Sequence, residues 1–246
     1  MSQRVALFPT CVVDTVAPQV GEAVVRVLRR LGHEVVVPKN ATCCAQPAWN
    51  AGFAQQAATV ARTTLDALEA EDAQTICVPA GSCATMMRVF WPELFELVGD
   101  HDAKRRAERL RDRVREFSEF VAEQADDIAG THAVTVAYHH SCHMLRELRI
   151  TTAPKDLLAR LDGCDAPDFP GDDRCCGFGG LFAIKQPELS VAMADDKIAA
   201  ISSVGADEIV GCDQSCLMHL EGRLRSRGQT TPVRHLAEVL DEAMTP

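Results

Sequence analysis

The 246-residue chain has little of what marks several large function classes. Aromatic residues make up only 5%, and 25 Lys and Arg stand against 35 Asp and Glu, for a formal net charge of -10. Such a chain carries no basic footprint for phosphate backbones or anionic lipid, which argues against nucleic acid as a partner. No stretch approaches the roughly 20 apolar residues that span a bilayer, so no membrane span is expected. The opening "MSQRVALFPTCVVD" lacks a basic region followed by a long apolar run, and the expectation is a cytoplasmic protein. The stretches "GFGG" and "PAGSC" fit neither a G-x-x-x-x-G-K-S/T loop nor a dinucleotide fingerprint. No Ser-His-Asp pattern has a supporting nucleophile elbow. What is left is an ordinary globular composition, 47% hydrophobic and 24% charged, long enough for one large core or two halves that share one.

Cysteine, by contrast, is abundant. There are 11, an odd number, and in a cytoplasmic protein cysteines are more often metal ligands or catalytic thiols than disulfide partners. Their spacing repeats. Cys11 to Cys43 is 32 positions and Cys142 to Cys175 is 33; Cys44 to Cys83 is 39 and Cys176 to Cys216 is 40. The copies are offset by 131 to 133 residues, and the local text echoes: "PTC" against "HSC", "CCAQP" against "CCGFG", "PAGSC" against "CDQSC". A given position is Cys about once in 22, so four ordered coincidences point to a duplicated module.

Periodicity shows what the module is. "VALFPTC" reads as a short strand, followed by Val20, Ala23, Val24, Val27, Leu28 and Leu31 at helical spacing, with Pro18 at the start and Gly32 at the end. "HEVVVP" is a β-branched strand leading to Cys43 and Cys44. Phe53, Ala57, Val60, Ala61, Thr64, Leu65 and Leu68 mark a second helix, and "TICVPAGSC" a third strand ending at Cys83. The second copy repeats the order, with "AVTVAYHHSC", a helix near 154–162, the pair at 175 and 176, a helix near 185–203 and "ADEIVGCDQSC". Alternating strands and helices imply an α/β fold with parallel sheets. The expectation is two duplicated parallel-sheet halves, residues 1–125 and 126–246, related by a pseudo-two-fold. The run "KRRAERLRDRVRE" pairs opposite charges at i, i+4 and reads as a solvated helix linking the copies.

In open α/β sheets ligands collect beyond the carboxyl ends of the strands. Cys11, Cys83, Cys142 and Cys216 each lie just past a predicted strand, and each vicinal pair sits on a loop before a helix. Three loops per copy therefore bring four thiolates together, a set suited to tetrahedral zinc or to an iron–sulfur cluster. Adjacent residues of a strand point to opposite faces, so both cysteines of a pair face one site only if the backbone turns. Gly177, Gly179 and Gly180 supply that freedom in the second copy. Cys77 aligns with Val210 and is expected in the core, whereas Cys164 on a polar loop is expected to be a free surface thiol. His139, His140 and His143 flank Cys142, placed either to ligate or to support a ligand from behind.

The motifs "LFPTCVVD", "CCAQPAWNAG", "PAGSC", "HSCHMLR", "CCGFGGLFA" and "CLMHLEGR" resemble the cysteine-rich CCG domain, found twice in heterodisulfide reductase and in the iron–sulfur subunit of glycolate oxidase. In its short two-copy form the chain is similar throughout to the lactate utilization protein A family. The resemblance implies an iron–sulfur redox subunit, an oxidoreductase acting with two partner proteins, one bearing ferredoxin-like clusters, in a complex whose small 2-hydroxy acid substrate, L-lactate, becomes pyruvate. It also implies the ligand sets. In the second copy Cys142, Cys175, Cys176, Cys212 and Cys216 would bind an iron–sulfur cluster, by implication [4Fe-4S]. In the first, Cys11, Cys43, Cys44 and Cys83 would bind a cluster or zinc, since the family's fifth cysteine is replaced by Pro79 and its glycine by Ala45. A thiol-disulfide reductase subunit of the heterodisulfide type and a zinc-stabilised scaffold are the alternatives.

Overall fold

The computed structural model describes residues 2–124, 126 and 128–245. It divides into two compact units, Met1–Phe120 and Val121–Pro246. In the first unit β1 (Arg4–Leu7), β2 (Glu34–Val36), β3 (Thr75–Val78) and β4 (Val114–Glu116) form one parallel sheet in the order β2-β1-β3-β4. Helices cover both faces of such a sheet, so its central strands read as apolar runs and not as alternations. Accordingly Val5, Ala6, Ile76, Cys77 and Val78 are all fully buried. The helix Pro18–Arg30 has Pro at its start and buries Val20, Ala23, Val24, Val27 and Leu28, and Gly32 follows it at φ 84°. The helix Ala54–Glu69 buries Ala57, Ala61, Thr64, Leu65 and Leu68.

The second unit repeats this plan. Its strands are β5 (Gly130–Thr131), β6 (Val136–His139), β7 (Leu161–Asp162), β8 (Glu208–Gly211) and β9 (Val233–His235). β6, β8 and β9 pair in parallel in that order, β5 pairs with β7, and a bridge from Thr135 to Asp165 ties the two groups together. The order through that bridge, β7-β6-β8-β9, matches β2-β1-β3-β4. Register matches too: Ala6 lies opposite Ile76 as Ala137 lies opposite Ile209. The helix Pro187–Ser202 has the same length as Ala54–Glu69, 16 residues. Ala194, Ile198 and Ile201 are buried where the first helix buries Ala61, Leu65 and Leu68.

One expectation fails. The charged run at 104–116 is not a linking helix. His101–Arg111 is helical and buries Ala103, Ala107 and Leu110, and the run then enters β4, where Val114 and Glu116 are buried and Arg115 is not. Arg106 holds this helix to the helix Ala54–Glu69 through ion pairs with Asp66 and Glu69. The last residue of the sheet's edge strand then caps the next helix in each unit. Glu116 accepts from Ser118 N at 2.8 Å, and His235 Nδ1 accepts from Ala237 N at 3.1 Å. No helix among the described residues is long and apolar enough to cross a membrane.

Candidate metal centres

Each set of four cysteines meets at the carboxyl ends of its strands. Cys11 opens the helix Cys11–Val16 just past β1, and Cys83 lies in the helix Gly81–Thr85 just past β3. Cys43 and Cys44 arrive on the loop after β2. Cys11 Sγ lies 3.7 Å from Cys43 Sγ, and Cys44 Sγ 3.2 Å from Cys83 Sγ. Cys43 is also hydrogen-bonded by Cys44, so the four sulfurs form a continuous chain. The proton donors Cys11 and Cys44 hold the Cys43 thiol far below its ordinary range, while the same contacts and burial push Cys11 and Cys44 up. A thiolate among thiols is the starting point for a soft metal.

Local geometry explains how the vicinal pair faces one centre. Ala45 takes the left-handed conformation, φ 73° and ψ 6°, which turns the chain, and its N–H donates to Cys43 Sγ at 3.4 Å. Trp91, fully buried, donates from Nε1 to Cys44 O at 2.9 Å, and Thr64 Oγ1 donates to Cys43 O at 2.8 Å. Thr10, before Cys11, sits at φ 71° and ψ 150°, a region that costs a residue with a side chain about 1–3 kcal/mol. Its Oγ1 accepts from Val13 N at 3.3 Å. Strain thus brackets the first centre at both Thr10 and Ala45.

The second unit builds the same chain of sulfurs. Cys142 and Cys176 both hydrogen-bond Cys175, whose thiol is held far below its ordinary range, and Cys176 also contacts Cys216. Gly177, at φ 88°, makes the turn that Ala45 makes in the first unit, and its N–H donates to Cys175 Sγ at 3.4 Å. Around these sulfurs, however, the surroundings differ from those of the first unit. His139 stands at the end of β6 where Phe8 follows β1, Ser190 where the first unit has Ala57, Lys197 in place of Thr64 and His219 in place of Met86.

These four polar side chains went unrecognised in the sequence, except for His139. Lys197 is fully buried, donates to Gly171 O at 3.1 Å and to Asp172 O, and lies 5.6 Å from the Phe169 ring. Burial lowers its pKa to about 8, and the Asp172, Cys176 and Cys216 charges act in the opposite direction. Ser190 Oγ donates to Gly177 O at 2.7 Å and lies 3.2 Å from His219 Nε2, so the turn at the cysteine pair is fastened from behind. The signal for all three was the difference between aligned copies, a polar residue at a place the first copy fills with Ala, Thr or Met.

The remaining expected residues are placed as follows. Cys77 is fully buried in β3, as a core residue should be, and Cys164 is half-buried after β7 instead of exposed. Cys212, fully buried just past β8, accepts a hydrogen bond from Tyr138 Oη at 3.3 Å. His140 Nε2 is 3.9 Å from Asp172, and His143 Nδ1 is 3.1 Å from Glu147, so both have carboxylate neighbours. His139 does not. It is 1% exposed, and neither ring nitrogen has a hydrogen-bond partner. Its ligand atom and the sulfurs of Cys176 and Cys216 all lie within 4.8 Å of one another.

The donor sets fit a soft metal or cluster in both units. A buried imidazole with both nitrogens unpaired costs about 1–3 kcal/mol per unmet group, and buried groups of this kind call for an ion, a water or a role. In the first unit the 3.7 Å between Cys11 and Cys43 is close to the edge, about 3.8 Å, of a tetrahedron with metal–sulfur bonds of about 2.3 Å, whereas the 3.2 Å between Cys44 and Cys83 is shorter than that edge.

Comparison with known proteins agrees with the duplication. The cysteine-rich domain, CCG, matches at residues 5–88 and again at 136–221. Lactate utilization protein A from Exiguobacterium sp. is 40% identical over 243 residues, covering 98% of both chains. Lactate utilization protein A from Anoxybacillus flavithermus is 38% identical over 240 residues, 97% of this chain and 99% of the relative. Among solved structures, a hypothetical protein from Helicobacter pylori superposes with a TM-score of 0.69 at 12% identity, covering 99% of this chain and 49% of that one. At that identity it supports the fold alone.

Proposed function

The chain belongs to the lactate utilization protein A family of two-copy cysteine-rich CCG domains, and from that premise we propose that it is the iron–sulfur redox subunit of a multi-protein complex that oxidises L-lactate to pyruvate. A role in lactate utilization follows from the family. The finer reading rests on one observation, the convergence of four cysteine sulfurs at the carboxyl ends of the strands in each unit.

Cys142, Cys175, Cys176 and Cys216 would hold an iron–sulfur cluster in the second unit, and Cys11, Cys43, Cys44 and Cys83 a cluster or zinc in the first. When bound, such a cluster supplies one-electron transfer. The chain's own residues do the rest. The turns at Ala45 and Gly177 aim both sulfurs of each vicinal pair at one place, and backbone N–H groups stabilise the thiolates. Trp91 and Ser190 lock the carbonyls of those turns. Lys197 supplies a buried positive charge that interacts electrostatically with Asp172, Cys176 and Cys216, compensating thiolate charge away from water. Oxidising lactate removes two electrons and two protons, and the chain has no flavin or nicotinamide motif. Partner proteins, one with ferredoxin-like clusters, complete the electron path in this reading.

The test is anaerobic purification with iron, zinc and acid-labile sulfide quantified together. Cys175→Ser or Cys176→Ser should remove most of the iron of the second unit and abolish lactate-dependent electron transfer in the reconstituted complex, while Cys164→Ser leaves both intact. Full iron content and activity in Cys176→Ser sinks the assignment. Zinc in place of iron in the first unit would return that unit to a structural role.

A further inference from the structure

We infer that His139 is a nitrogen ligand of the centre in the second unit, which is therefore held by a mixed thiolate and imidazole set and not by five cysteines. The inference rests on the reading that a metal or cluster occupies this unit. It takes the fifth position from Cys212 and gives it to a residue that the first unit replaces with Phe8.

Three observations carry it. Strand parity comes first. Ala137 packs in the same apolar cluster as Cys176, Ile209 and Cys216, and residues two apart on a strand share a face, so His139 follows Ala137 toward those sulfurs. Tyr138 lies on the other face, and Cys212, three positions past Ile209, goes with it, as the hydrogen bond between Tyr138 and Cys212 shows. Second, the His139 ligand atom is already within 4.8 Å of both Cys176 Sγ and Cys216 Sγ. Third, His139 is buried with neither nitrogen partnered, whereas His132, His140, His143 and His219 each lie near a polar or charged side chain. A buried imidazole within 4.8 Å of two thiol sulfurs, with no hydrogen bond of its own, has the placement of a ligand.

The chemistry of the exchange is specific. Imidazole is neutral where thiolate is negative, so replacing one thiolate position by a nitrogen lowers the charge of the ligand set and raises the reduction potential of an iron–sulfur centre. Lys197, buried beside the same sulfurs, acts in the same direction. In the first unit Phe8 and Thr64 occupy the aligned places, so the first centre lacks both effects.

The experiment uses the full chain, purified anaerobically after labelling its histidines with 15N, and reads the nitrogen hyperfine coupling of the paramagnetic centre by pulsed electron paramagnetic resonance. A directly coordinated nitrogen is expected, lost in His139→Phe, and in His139→Cys, where a thiolate takes its place, lost together with a shift of one reduction potential to lower values. Should His139→Phe fold poorly, His139→Cys restores a soft ligand at the same place, and the expected result is retained metal without the nitrogen coupling. Metal bound in the second unit with no coupled nitrogen, or with coupling unchanged in both variants, overturns the inference and leaves the proposed function standing. If the metal is zinc, absorption spectroscopy at its edge decides the same point by the presence or loss of a nitrogen neighbour, while the iron reading falls separately. A second unit that takes up no metal on anaerobic loading overturns both.

Discussion

Gly177→Ala tests whether the turn at the second cysteine pair is dictated by backbone geometry. Gly177 has φ 88°, and a Cβ there would lie 2.6 Å from Ser190 O and 2.8 Å from Met193 Cβ. The oxygen belongs to the backbone of the helix Pro187–Ser202 and cannot swing aside. Left-handed backbone costs an L-residue about 1–2 kcal/mol, and overpacking a close contact about 1–3 kcal/mol, so the substitution should destabilise the second unit by about 2–5 kcal/mol. For a unit of this size that is a fall of roughly 10–20 °C in its melting temperature. Scanning calorimetry of the full chain reads it directly as a lowered melting temperature. The aligned Ala45 provides the control: it already sits at φ 73°, so Ala45→Gly should relieve up to about 1 kcal/mol of strain and not lower stability. A change below about 0.5 kcal/mol in Gly177→Ala would refute the reasoning, because it would mean that the helix yields.

Two further outcomes are expected. Trp91→Phe leaves Cys44 O without its 2.9 Å donor, and an unmet buried carbonyl costs about 1–3 kcal/mol; denaturant unfolding should show the loss, and faster modification of Cys43 and Cys44 by a thiol reagent should accompany it. Glu116 is fully buried, and burial raises its pKa from 4.5 to about 8. Between those values the folded chain keeps a proton that the unfolded chain has released, so the first unit should lose up to a few kcal/mol of stability as pH rises across the window. Denaturation measured from pH 5 to 8 should show that decline, flattened in Glu116→Gln, and an identical slope in the two proteins would refute the assignment.

The parts of the fold legible in the sequence were those where burial and periodicity agree. The helices Pro18–Arg30 and Ala54–Glu69 announced themselves by apolar residues three and four apart, and β3 and β8 by short stretches between loops that carry the β-branched pairs Ile76 and Val78, and Ile209 and Val210. β4 was hidden because its three residues, Val114, Arg115 and Glu116, include two that are charged. Glu116 is buried only because it caps the following helix. β5 and β7 have two residues each, too short for any periodicity to register. The repeated spacing put four cysteines of each copy near strand ends, where their sulfurs meet, but it could not tell that Cys212 pairs with Tyr138 instead. Lys197 was not, because a lysine in an amphipathic helix ordinarily marks the solvated face, and only the carbonyls of Gly171 and Asp172 bring this one inside.

The same duplication makes the differences between copies informative. Equal strand order, register and cysteine placement fix the two sets of sulfurs at equivalent places in the fold, so a residue that differs at an aligned place was not required by the fold. Phe8, Ala57, Thr64 and Met86 give the first centre walls that are mostly apolar, where thiolate charge is balanced chiefly by hydrogen bonds from Ala45 N and the neighbouring thiols. His139, Ser190, Lys197 and His219 surround the second with two imidazoles, a hydroxyl and a buried cation. Burying a lysine costs several kcal/mol unless something compensates it, and here its donors reach two carbonyls, while the charges of Asp172, Cys176, Asp173 and Cys216 favour its protonated form. A fold that already worked with threonine at that place had no structural need of the lysine. In the proposed reading this charge offsets thiolate charge at the second centre, and a cluster held there would be the easier of the two to reduce.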